Sequence, residues 1–192
     1  LSAPVLDRFR ELAGKDESPV VRLYLSSALQ RQPADVRWDI LEALSSHAED
    51  AADHNLPLML WYAGEPLGAV DPQRALAWAL VAGERFPQLP EYMIRRIGSG
   101  NSDKSLELLV EGLKSAKTAT LQKTFLRGIR EALKGRRQVK APATWADVYG
   151  QLSMSDDAEV RLTSTTLAVT FGDSAAAAKA APQNNIPKGA RG

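Results

Sequence analysis

The sequence predicts an all-α fold of about ten helices stacked as a right-handed solenoid. Apolar residues recur with the 3.6-residue period of an amphipathic helix nearly everywhere, and few runs alternate as a strand would. Helix-start signals recur about every 15–20 residues with short connections between them, so helix pairs recur at roughly 35–40 residues, the spacing of helical repeats. The organising stretch is Leu56 to Ala63, where every residue except Pro57 is apolar or aromatic. A helix apolar on all sides is expected to be buried on all sides.

The elements follow in order. Val5, Leu6, Phe9 and Leu12 share one helical face, and Gly14 closes that helix. Ser18 and Pro19 open a second, with Val21, Leu25, Ala28 and Leu29 inward, closed by Gln32 and Pro33. Asp35 caps a third that carries Val36, Ile40 and Leu44. Asp53 or Asn55 caps the all-apolar helix, Pro57 is tolerated in its first turn, Gly64 ends it and Pro66 keeps it from resuming. Asp71 and Pro72 start the helix of Ala75, Leu76, Ala79 and Leu80, and Pro90 opens a short one with Ile94 and Ile97. After a glycine turn at 98–100, Asn101 or Ser102 caps a helix with Leu106, Leu109, Val110 and Leu113. The next carries Leu121, Phe125, Ile129 and Leu133, and a basic loop from Gly135 to Pro142 follows. Trp145, Val148, Tyr149 and Leu152 form another inward face. Asp156 or Asp157 caps a helix with Val160, Leu167 and Phe171, and Asp173 caps an alanine-rich turn or two. Residues 1–181 thus read as one helical-repeat domain, and 182–192 as a polar, disordered tail.

Two distant segments share a pattern. Glu17 precedes Val21-Arg22 and an apolar helix to Leu29, and Asp157 precedes Val160-Arg161 and an apolar helix to Ala168. An acid, a short spacer, Val-Arg and an apolar run resembles the second helix of a HEAT repeat. The acid caps the helix, the valine packs on the neighbouring repeat, and the arginine bonds back to a cap or loop carbonyl. The predicted class is therefore a HEAT/armadillo-like α-solenoid.

A more specific likeness lies in Arg37-Trp38 with the run to Leu44, in the stretch from Ala48 to Leu67 that contains Asn55, Pro57, Trp61, Tyr62, Glu65 and Pro66, and in Arg95-Arg96. This resembles the helical-repeat segment of PVC-type haem-binding proteins, also described as membrane-bound dehydrogenase domain proteins. In that family a propeller similar to sugar dehydrogenases precedes HEAT-like repeats, and a c-type cytochrome domain with a CxxCH haem site follows. The likeness covers residues 17–98 well and the remainder as generic helical repeats. Because no CxxCH motif or propeller strand occurs here, neither haem binding nor dehydrogenase activity is carried onto any residue. The resemblance implies a non-catalytic module that spaces or docks protein domains within a longer envelope or periplasmic redox polypeptide, with haem c held elsewhere. A start at Leu1 rather than Met fits a piece of a longer chain.

Composition narrows the chemistry. The 192 residues suffice for one substantial domain, and the net charge of +1 gives no global pull towards nucleic acid or an anionic membrane. Without cysteine there is no disulfide, thiolate zinc site, iron–sulfur cluster or thioether-attached haem in this chain. No apolar run reaches the roughly 20 residues of a membrane span. His47, Asp50 and His54, spaced i, i+3, i+7, would face one way on a continuous helix as metal ligands, but the caps at Asp53 and Asn55 break that helix, so a polar loop is expected. Residues 101–140 hold ten Lys/Arg against four Asp/Glu. Lys123, Arg127, Arg130, Lys134, Arg136 and Arg137 are thus a candidate interaction surface for an acidic protein neighbour. The alternative is a nucleic-acid-binding repeat protein using 104–140, against which stands the lack of aromatics interleaved to stack bases. A third class, an enzyme with a site hidden among the helices, has no nucleophile–base arrangement to support it. The tryptophans Trp38, Trp61, Trp78 and Trp145 read as core. If helices 56–63 and 90–97 are first helices of successive repeats, Glu65 pairs with Arg95 or Arg96.

Overall fold

The computed structural model describes residues 1–100, 102–136 and 139–180. The expected tail at 182–192, the alternative cap Asn101 and the candidate surface residue Arg137 lie outside the described residues. The α-helices are α1 (Ala3–Lys15), α2 (Pro19–Leu29), α3 (Ala34–Leu44), α4 (Leu56–Gly64), α5 (Leu67–Val70), α6 (Pro72–Ala82), α7 (Gln88–Gly98), α8 (Asp103–Ser115), α9 (Ala119–Leu133), α10 (Trp145–Leu152), α11 (Ala158–Thr170) and α12 (Ser174–Ala180). A 3-10 turn spans Ala48–Ala52. The protein is all-α, with no strand among the described residues.

Carboxylates fix several helix starts by accepting first-turn amides that have no intrahelical partner. Asp53 Oδ1 accepts from the N–H groups of Asn55 (2.7 Å) and Leu56 (2.8 Å) at the head of α4. Asp71 does the same for Arg74 in α6, Asp157 for Glu159 and Val160 in α11, and Asp173 for Ala175 and Ala176 in α12. Three local expectations are corrected. Asn55 precedes α4 without capping it through its side chain. Asp35 sits inside the first turn of α3, after Pro33. Pro66 does not stop the chain from coiling: Glu65 and Pro66 keep right-handed helical dihedrals, and α5 follows at once. Proline is harmless there because the amide it lacks belongs to a first turn.

Most helices pack on their successors, α4 with α5 and α9 with α10 aside, and contacts also skip one element. α1 meets α3, α2 meets α4, α7 meets α9, α8 meets α10 and α9 meets α11. Side chains complete the rows: the Trp78 indole N–H of α6 donates to Ser45 Oγ after α3 (3.2 Å), and Trp61 of α4 meets Tyr92 of α7. Leu76 of α6 lies beside Gly112 of α8, so one row is α1, α3, α6, α8, α10, and the other α2, α4, α7, α9, α11. A single apolar cluster running from Ala13 to Ala176 lies between them. Glycine permits close approaches. A Cβ on Gly64 would stand 2.7 Å from the Trp78 ring, and one on Gly128 would stand 2.6 Å from Ile94, so α4 with α6 and α9 with α7 meet backbone to side chain. Gly64 is the last residue of α4, as expected, but without a positive φ, and it also serves packing.

Candidate functional site

The expectation that the helix at 56–63 is buried on every side fails on one side. Leu56, Leu60 and Ala63 point into the core at 1 % exposure or less, whereas Leu58 is 39 % and Tyr62 48 % exposed. α4 has α2 on one flank, α7 on the other and α3 behind it. No described element lies across its outer side. An exposed apolar strip on a helix that has the freedom to be polar there is a feature of binding surfaces.

The strip forms one wall of a groove of about 490 Å³ whose other wall is α7. Trp61 and Tyr92 meet edge to face across it, ring centroids 5.4 Å apart at 62°. The expected charge pair is present as Glu65 with Arg96, whose Nε lies against the carboxylate but makes no directed hydrogen bond. Both side chains are about one-third exposed (35 % and 30 %), so this is a groove-floor pair rather than a buried one. Arg95, one residue earlier and so on a different side of α7, is exposed at the rim. Among the described residues no carboxylate pairs with it.

The other family-string residues have structural places. Trp38 is buried beneath the Arg74 guanidinium, 4.5 Å from the ring centroid, and Pro57 is buried in the first turn of α4. Trp38, Trp78 and Trp145 are core, as their helical spacing predicts. Trp61 is the exception, half-buried in the groove.

The basic residues of α9 are largely committed to α11. Lys123 Nζ lies 2.9 Å from Asp157 Oδ2, and Arg127 contacts Glu159 through Nε (3.0 Å) and Nη2 (2.5 Å). The Lys123 hydrogen bond, with help from the Val160 and Glu159 amides, holds the Asp157 carboxyl below the usual carboxylate range. The Glu159 hydrogen bond raises the pKa of Arg127. Arg130 and Lys134 flank Glu131 at 3.9 and 3.8 Å, and Arg136 reaches towards the Gly98 carbonyl at 3.5 Å. Two of the ten basic residues of 101–140, Lys123 and Arg127, are thus met by acids more than thirty residues on, which a local count does not see.

His47, Asp50 and His54 are not brought together as ligands. His47 Nε2 sits 2.8 Å from the Ala13 carbonyl, and His54 is exposed beyond the 3-10 turn. Asp50 instead completes a buried ion pair that the sequence reading missed. Arg22 Nε and Nη2 donate to its two carboxylate oxygens at 2.6 and 2.5 Å, and Nη1 donates to the Asp16 carbonyl at 2.8 Å. Hydrogen bonding to Asp50 raises the Arg22 pKa, burial opposing it. The equivalent Arg161 donates to the Ser155 carbonyl, again six residues back. The Val-Arg pattern therefore has one geometric role at both places, holding a helix to the loop that leads into it. Glu17, unlike Asp157, does not cap its helix; Asp16 accepts from Ser18 N–H instead.

No protein-family model, curated protein or solved structure matches this chain. No helix among the described residues is long and apolar enough to cross a membrane.

Proposed function

We propose that the chain is a HEAT-like α-solenoid that works as a non-catalytic interaction module, docking protein through the outer face of the α2–α4–α7–α9–α11 row. One observation carries this reading: the outer side of α4, free to be polar, is apolar and aromatic, and it opens onto a groove. Three features support it. Contacts between many successive and next-but-one helices agree with stacked helical pairs. The arginine back-bond recurs in the two segments with the Val-Arg pattern. The groove gathers Trp, Tyr and Arg, the residue types that dominate binding energy at protein interfaces. The resemblance to PVC-type haem-binding proteins adds a context, in which the module spaces or docks a propeller domain and a c-type cytochrome domain in an envelope polypeptide.

Hydroxyl-radical footprinting tests the reading. The isolated chain is compared with the longest polypeptide encoded by its gene, with Met154, 85 % exposed, as the internal standard. Tyr62 and Tyr92 should be oxidised readily in the isolated chain and protected several-fold in the longer one. Equal reactivity in both sinks the docking role within the polypeptide, and a gene without flanking propeller and CxxCH sequences sinks the redox context.

A further inference from the structure

We infer that the groove between α4 and α7 takes an extended peptide segment in which a proline or large apolar residue stands close to an aspartate or glutamate. The inference rests on reading this face as a docking surface and names what docks there.

Two charges on the groove floor, Glu65 and Arg96, cancel each other. Arg95 is left as an exposed cation at the rim without a carboxylate partner among the described residues. An anion on the occupant complements this cation. A guanidinium offers paired donors to a carboxylate, and such bonds strengthen as the occupant excludes water. Beside that cation lie Leu58, Tyr62, Trp61 and Tyr92. Flat, partly exposed aromatic faces favour a ligand that presents rigid apolar surface at low entropic cost, as a proline-containing extended strand does. A groove two helices wide and about 490 Å³ in volume holds a few side chains. Single-stranded nucleic acid would also use aromatic rings and arginine, but it needs a track of cations along its phosphates. Here the nearest basic helix in the same row has Lys123 and Arg127 engaged by Asp157 and Glu159. The peptide is therefore the occupant that both the charge and the surface chemistry fit.

The test is selection of a displayed random 12-residue peptide library on the immobilised chain, followed by fluorescence-anisotropy titration of the selected peptides. The expected consensus places Asp or Glu within three residues of Pro, Leu or an aromatic residue. Arg95→Glu should weaken binding about tenfold or more, the scale of losing one interfacial hot spot, and changing the peptide's acid to arginine should restore binding to that variant. Tyr62→Gln should weaken binding similarly, while circular dichroism melts confirm that both variants fold. Peptides lost with Tyr62→Gln but indifferent to Arg95→Glu would keep the docking face and overturn the acidic ligand. A basic consensus, or a 12-nucleotide oligouridylate that binds and competes at Tyr62, would overturn it in favour of another occupant. Failure to enrich any peptide that depends on either residue would overturn both this inference and the docking reading.

Discussion

Removing Asp50 should be among the most damaging single substitutions in this protein. Arg22 is 1 % and Asp50 2 % exposed, and their fork-to-fork contact joins α2 to the 3-10 turn 28 residues later. In Asp50→Ala the guanidinium stays buried while losing two charge-assisted hydrogen bonds. Breaking one side of a buried pair costs about 3–5 kcal/mol, because an uncompensated charge remains. Two features hold the expected loss to the lower end, about 3 kcal/mol. The Asp16 carbonyl still accepts from Nη1, and the exposed Glu49 carboxylate stands 3.3 Å from Nη2 and can move in. Against a typical total stability of roughly 5–15 kcal/mol, that loss is large. Urea melts at neutral pH read it directly, with the midpoint falling and the slope unchanged if the native state stays compact. The double variant Arg22→Met/Asp50→Leu removes both charges and should be more stable than Asp50→Ala alone, since apolar replacement of a whole buried pair is often neutral. The strength of the coupling then follows from the cycle. A loss under about 1 kcal/mol for Asp50→Ala would refute the reasoning, because that is what a solvated pair contributes.

Two further outcomes follow from partly exposed charges. Asp157 has a carboxyl pKa below its ordinary value, so it stabilises the folded state above the ordinary range near pH 4 and loses that contribution as pH falls through the lowered value. Asp157→Asn should accordingly melt lower than the parent at pH 7 and converge with it towards pH 2, as thermal melts across that range will show. Glu65→Gln should cost under about 1 kcal/mol, since the pair with Arg96 is one-third exposed and screened; a loss above about 3 kcal/mol in urea would mean that the pair is sealed from water.

How much of this was legible in the sequence depends on range. Features decided within one turn were readable: a cap at Asp53 or Asn55, at Asp156 or Asp157, and at Asp173, where Asp53, Asp157 and Asp173 prove to be the caps, the tolerated first-turn prolines, and the inward faces around Leu109, Ile129 and Val148. The back-bonding arginines Arg22 and Arg161 were readable too, because their carbonyl partners lie only six residues away. What failed depended on partners distant in sequence. Asp50 looked like a candidate ligand because Arg22, its real partner, lies 28 residues upstream. Lys123 and Arg127 looked free because Asp157 and Glu159 lie 34 and 32 residues downstream. The groove was missed for a different reason. An all-apolar run carries no periodic signal, so nothing in residues 56–63 tells Leu60 from Leu58; only the neighbours of α4 decide which side meets water. The pairing of Glu65 with an arginine of α7 was reached by assuming that two helices sat side by side, which they do.

The central claim is that the outer side of α4 is apolar for binding and not for folding. The most direct measurement compares two variants by urea denaturation. Leu58→Gln/Tyr62→Gln alters the exposed strip, and Leu60→Gln alters the buried side, where Leu60 is 1 % exposed. Two substitutions at exposed positions should together cost less than about 2 kcal/mol. The single buried change should cost more than about 3 kcal/mol, since it combines lost packing with an amide unable to reach water. If the double variant unfolds as readily as Leu60→Gln, the strip belongs to the core and the interaction face is not there.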